Sequence, residues 1–380
     1  MRAAGFEFSL EKRVSLTGWQ AAGISILAVL VALLLFSLIF LLAGIDPLSA
    51  YIEIFSYSFA NPFGLPLTIN RFIFLLFCTY AFILPARAGL WNIGMTGQFY
   101  VGALSVYAVL YAFGAHRFDA TPPPALLALP LMVAASALGG AALGAVAGFL
   151  KGRFNLNEIV VTMMLNFMAF WFVSYLIKEG GPLMNPGGEG ESFALPDSLH
   201  GPALWDIPFT VFLALGAGVA LYWMLARTRL GYEIRAYGQN PVAASYAGIS
   251  RFYIPLLVFT LGGALAGLAG YHYFAAVPGV FKIARNYGYF GDLAFFGIIC
   301  GLISQGNPLA SIPVALLFGG LSVGGRFVQG KLGMSFGVDY ALLGVLMMTL
   351  VGFQFFYRYR IRVVKARRER ADVGILDPKP

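Results

Sequence analysis

Asn92-Ile93-Gly94-Met95-Thr96-Gly97-Gln98 sets three hydrogen-bonding side chains and two glycines at the head of an apolar stretch that runs from 89 to 113. Unpaired amides are costly in hydrocarbon, so such residues read either as glue between helices or as the lining of a wet route for a solute. Apolar stretches of this kind recur along nearly the whole chain. Of its 380 residues 59% are hydrophobic and 11% are charged, a balance that excludes an ordinary soluble domain and indicates an integral membrane protein.

A helix needs about 20 mostly apolar residues to cross the hydrocarbon. Candidate spans lie at 18–43, 67–84, 89–113, 124–150, 156–177, 207–226, 253–275, 290–303, 308–325 and 337–357. Most are apolar on every face and too long for strands, so the expected fold is all-α with about ten transmembrane helices. An even number of crossings puts both termini on one side. With that side cytoplasmic, 18 of the 25 basic residues fall inside, among them Arg87, Lys151, Arg153, Arg227, Arg235, Arg251 and the tail from Arg358 to Lys379. The reading divides the chain into a cytoplasmic segment 1–17, a membrane domain 18–357 with an outer loop at 178–206 and an inner loop at 227–252, and a basic tail 358–380. That tail meets anionic lipid headgroups more simply than it meets nucleic acid. The first apolar run is too long for a signal-peptide core and is expected to stay as an anchor. Cys78 and Cys300 read as small core residues, and His116, His200 and His272 have no metal-ligand spacing.

The two halves share a pattern. Asn92-x-Gly94-x-x-Gly97 is matched by Asn286-x-Gly288-x-x-Gly291, and Pro124 and Pro130 before the fourth span are matched by Pro308 and Pro313 before the ninth. Five crossings separate the copies, so the second enters from the opposite side, giving an inverted repeat of the kind built around a transport route. The run 290–303 is short, which predicts a broken or re-entrant segment with irregular backbone near Gly288 to Asp292. Gly140, Gly144 and Gly148, the pair Gly263 and Gly267, and the pair Gly320 and Gly324 carry one-turn spacing and read as helix contacts.

In the inner loop, Asn240 suits a helix N-cap, Pro241 the first helical position, Ala243 and Ala244 the interior, and Gly248 the end, predicting a short helix across the cytoplasmic face. Gly238-x-Asn240-x-x-Ala243-Ala244-x-x-x-Gly248-Ile249, continued by Gly262-Gly263-Ala264-Leu265-Ala266-Gly267, resembles the coupling segment of ATP-binding cassette importer permeases of the ribose and nucleoside branch. Trp91 to Gln98 resembles that family's Asn-Ile-Gly-x-Glu-Gly-Gln signature, with Thr96 standing where Glu is usual, and Asn157-Glu158-Ile159 resembles its Asn-Glu-Ile motif. The resemblance runs in order over 20–357 and is closest to the larger nucleoside-type permease. It implies a subunit of the cell inner membrane that pairs with a second, non-identical permease, a cytoplasmic ATPase and an external solute-binding protein. ATP is then used by the partner and no cofactor is bound by this chain. The lone Gly330-Lys331 continues with Leu332 and is no phosphate-binding loop.

Asn92, Thr96, Gln98, Asn166, Asn286 and Asp292 are the candidate path residues, with Trp91, Phe99 and Tyr100 as flat apolar faces. Uncharged amides suit a neutral polar solute, a nucleoside or simple sugar, better than an ion. Duller roles stand beside these: Asn166 as a bond to a neighbouring helix, Asp292 as a cap, Glu158 with Asn155 as a capping box. The acids of the outer loop, Glu179, Glu189, Glu191, Asp197 and Asp206, either receive a partner or merely solvate a connector. The alternative function is a secondary transporter driven by an ion gradient, which would need Asp292. No constellation for membrane-embedded catalysis is present in the sequence.

Overall fold

The computed structural model describes residues 2–3, 6–12, 18–116, 123–178, 180–185, 190–283, 288–334 and 337–365. It is an all-helical membrane architecture with a little sheet. In chain order the helices are α1 Gly18–Leu42, α2 Pro47–Ala60, α3 Gly64–Arg87, α4 Met95–Ala112, α5 Ala125–Phe154, α6 Glu158–Ile177 and α7 Thr210–Arg227, then α8 Arg229–Gln239, α9 Pro241–Tyr246, α10 Tyr253–Tyr271, α11 Gly288–Ile303, α12 Ser311–Lys331 and α13 Val338–Arg358. Each of the ten expected spans holds one of them. Among the described residues, seven helices are long and apolar enough to cross a bilayer unaided, while α4, α11 and α13 are shorter or less apolar.

The chain divides into two compact units, residues 1–36 with 345–380, and residues 37–344. In the first, strands β1 Arg2–Ala3, β2 Phe6–Lys12 and β3 Tyr359–Lys365 form an antiparallel sheet in which Phe6 faces Lys365 and Lys12 faces Tyr359. The sequence reading assigned neither terminal segment a secondary structure.

In the second unit α3 is the axle. From Phe72 to Pro85 every residue is buried, which suits a segment apolar on all faces. It packs against α2, α10, α11 and α12, while α10 packs against α3, α4 and α5. Exchanging α3 with α10, α4 with α11 and α5 with α12 maps the α3–α11 and α3–α12 pairings onto α10–α4 and α10–α5, as the repeat in the sequence requires. The glycines read as contacts behave as such: a Cβ on Gly144 would collide with the Phe259 carbonyl of α10, one on Gly263 with the Gly140 carbonyl of α5, and one on Gly324 with the Ile54 carbonyl of α2. Backbones touch there, so no larger residue fits. Cys78 and Cys300 are buried and free. Outward faces are apolar, with Leu34 and Trp171 about two-thirds exposed at 70% and 68%, as lipid-facing residues should be.

Three expectations change. Backbone irregularity does not lie at Gly288 to Asp292, because α11 is already helical there; the non-helical stretch is Val277 to Ile283, and 284–287 lie outside the described residues. Glycines Gly288 and Gly291 are tolerated inside that helix at about 1 kcal/mol each, so they are poor markers of a break. The cap of α6 is Asn157, whose side chain accepts from the Ile159 N–H, whereas Asn155 takes a left-handed conformation that ends α5. Glu158, at the first helical position, instead pairs with Lys151 at 2.9 Å. Finally, α2 lies outside every expected span, although Asp46 before Pro47 is a cap followed by a helix-starting proline: its carboxylate accepts from the Leu48 and Ser49 N–H groups.

Candidate functional site

Helix α4 begins inside the protein, and its N-cap is Gly94, which has no side chain to satisfy the free N–H groups of the first turn. Other residues supply what is missing. Asn92 Oδ1 accepts from the Gly94 N–H at 3.1 Å and from Gln98 Nε2 at 3.2 Å, and Asn92 Nδ2 donates to Gln98 Oε1 at 2.9 Å and to the Ala81 carbonyl at 3.2 Å. Asn166, reaching across from α6, accepts from the Gly97 N–H at 2.8 Å and donates to the Ile93 carbonyl at 2.9 Å. Gly94 and Gly97 leave room for this approach, since a Cβ on either would lie 3.0 Å from α6.

Asn92 and Gln98, both expected on a solute path, bond to one another here. Both are buried, and all four hydrogen-bonding positions of the Asn92 amide are filled, leaving none for a solute. Their chemistry is explained by the chain break they close. Phe99 and Tyr100 are likewise buried, packed on Phe74 and Phe274, while Trp91 meets Phe82 edge-on at 5.5 Å. Thr96 is half-buried in the first turn of α4. Asn286 lies outside the described residues. Asp292 is the fifth residue of α11, too far into the helix to cap it, and its side chain lies outside the described residues.

The inner loop is built as expected and joined to this break. Asn240 Oδ1 accepts from the Val242 and Ala243 N–H groups at 3.0 and 3.1 Å, Pro241 opens α9, and Gly248 follows with φ of 82°. Ala244 and Ile249 are buried anchors; Pro241, Ala243 and Gly248 are exposed, as is Tyr246 at 89%. Ahead of α9 lies α8, which the sequence reading missed; Thr228 caps it and Ile234 and Tyr237 form its buried stripe. Burial pushes the Tyr237 hydroxyl above its ordinary range, Arg251 opposing the rise and Glu158 adding to it. At the end of α8, Gly238 lies on the turn after α3: a Cβ there would collide with the Arg87 carbonyl, and one on Gly89, whose φ is 71°, would lie 3.1 Å from the Gly238 carbonyl. Arg87 Nε donates to the Gly306 carbonyl at 2.8 Å, in the turn between α11 and α12. The loop therefore bears on the turn that leads into Asn92, and Arg87 at that turn is bonded to the α11–α12 turn of the second half.

At the opposite end, the outer loop is packed rather than free. Ser192 N–H donates to the Ile283 carbonyl and Leu195 N–H to the Phe281 carbonyl, both at 2.9 Å, and Glu191 pairs with Lys282. His200 stacks on Phe281 with centroids 3.5 Å apart. Glu179 and Glu189 lie outside the described residues. Beneath this ribbon α10 ends in a single π-helical turn, His272–Ala276.

Residues 65–351 match the family described as the branched-chain amino acid transport system permease component. The chain belongs to this family. The permease is 31% identical to the glucose ABC transporter permease protein TsgB13 of Haloferax volcanii, over 95% of both chains. It is 29% identical to the guanosine ABC transporter permease protein NupP of Bacillus subtilis, over 79% of this chain and 84% of that one. The nucleoside ABC transporter permease protein NupB of Lactococcus lactis is 26% identical, over 79% and 83%. No solved structure matches it.

Proposed function

We propose that this permease carries a neutral polar solute, a nucleoside or simple sugar, inward through the cell membrane, driven by ATP hydrolysed in a separate cytoplasmic subunit. In this reading both termini are cytoplasmic, a second, non-identical permease completes the membrane channel, and an external binding protein delivers the solute. The names of the relatives support the solute class, and the family supports a multi-component system. The observation that carries the mechanism is the seat of Gly238 on the α3–α4 turn. The exposed Tyr246 face of α9 meets the ATPase; its displacement moves α8, the Arg87–Gly89 turn and the α4 start that Asn92, Gln98 and Asn166 hold rigid. The ion-driven alternative has no observation in its favour.

The test is uptake of guanosine and glucose by proteoliposomes holding this chain with its partner subunits. Uptake should require ATP and persist with a protonophore. Gly248→Trp, placed where a bulky side chain has space but the left-handed backbone is strained, should insert normally yet hydrolyse ATP without uptake. Unchanged uptake in that variant would contradict the coupling role.

A further inference from the structure

A cleft of about 410 Å³ opens between α2, α3, α12 and the segment after the π turn, at the end of the bundle away from Gly238. Its size is that of a small-molecule pocket. One wall is flat, made by Tyr57 and Phe327 stacked with centroids 3.8 Å apart and planes 4° apart. Other lining residues include Asn70, Ser322 and two arginines, Arg71 and Arg326, cations that a membrane protein seldom places in its spans without a function.

Asn70 is the informative one. It is 8% exposed, and its Nδ2 donates to the Asp206 carbonyl at 3.0 Å, but its Oδ1 is buried and accepts from none of the described residues. A buried acceptor calls for a donor. The backbone behind it is fixed: the Asn70 carbonyl can only accept, so His272 Nε2 carries the proton and donates at 2.9 Å, which leaves Nδ1 to accept from the Thr210 hydroxyl at 2.7 Å. Asn70 is held in place by a buried histidine and lines the cleft.

We propose that this cleft is a solute subsite that accepts a neutral ring bearing hydroxyl donors and acceptor oxygens, a sugar or the ribose and base of a nucleoside. The proposal rests on the transport reading above and names the site. A solute ring lies beside the Tyr57–Phe327 pair, a solute hydroxyl donates to Asn70 Oδ1, and the guanidinium groups donate to solute oxygens. An anion without a proton to give, such as sulfate, would engage the arginines and leave Asn70 Oδ1 unmet, so the mixed donor and acceptor set favours a ligand that carries hydroxyls.

The experiment uses the complete transporter in proteoliposomes with Leu67→Cys, at a cleft position 51% exposed, the native Cys78 and Cys300 being buried. Alkylation of the new thiol by an impermeant maleimide should slow about tenfold in guanosine or glucose at ten times its Kd. Ser322→Leu, which fills the cleft, should raise KM for uptake about tenfold with little change in kcat. Labelling that neither solute slows, while the wild type still shows ATP-driven uptake, would overturn the subsite; so would protection by inorganic phosphate in place of either solute. Absence of ATP-driven uptake in the wild type would instead overturn the transport reading on which the subsite stands.

Discussion

Asn92 shows how a polar residue deep in an apolar protein can be structural without being idle. One of its four hydrogen bonds holds the Gly94 N–H at the head of α4, and the other three tie it to the Gln98 amide and the Ala81 carbonyl of α3. Asn92→Leu orphans the Gly94 N–H and both ends of the Gln98 amide, at roughly 1–3 kcal/mol per buried group. Gln98→Leu should do similar harm to Asn92. The double variant should then be more stable than the sum of the singles predicts, by about 1 kcal/mol or more in a thermal unfolding cycle. Additive effects would show that the two amides do not act as a pair. Sequence alone found these residues because polar groups stand out against hydrocarbon, but it could not show that they bond to one another, because that pairing is set by the fold. Asn240 was legible in full, since capping is local: the candidate bonds run two and three residues along the chain. Asn240→Ala should cost about 1 kcal/mol, read as faster amide exchange in α9.

Among the helices, the ten apolar runs gave ten helices in the right places because length and hydropathy are properties of a segment. What failed was anything set by packing between segments. The helix α8 carries its apolar side chains on only one stripe, Ile234 and Tyr237, and too few of them to stand out in a hydropathy scan. The outer ribbon depends on pairing residues about 90 positions apart, such as Ser192 with Ile283. Glycine spacing did foretell the α5–α10 contact. Gly144→Leu would drive a side chain into the Phe259 carbonyl, and overpacking of that kind costs about 1–3 kcal/mol or more. It should lower the unfolding temperature of purified protein well below that of Gly216→Leu, where a Cβ meets nothing within 4 Å. Gly238→Leu, whose Cβ would meet the Arg87 carbonyl, should also lower stability, and in transporter that still assembles it should separate α8 from the Arg87 turn, so that ATP is hydrolysed with uptake reduced by about tenfold or more.

Over the full chain, the repeat written in Asn92 to Gly97 and again from Asn286 reappears as interchangeable helix pairings around α3 and α10, and the family match covers the same region, 65–351. The end of α8 and the turn before α4 meet backbone to backbone at Gly238 and Gly89 and are tied to the second half through Arg87, and the proposed coupling role requires them to move as one piece. Spin labels on exposed Tyr246 in α9, exposed Trp91 at the α4 start, and exposed Leu126 in the first turn of α5 test this directly in the assembled transporter. Between the ATP-free and ATP-bound states, the distances from 246 to 126 and from 91 to 126 should change together while the distance from 246 to 91 holds constant. A shift of 246 relative to 126, with the 91 to 126 distance unchanged, would contradict the account.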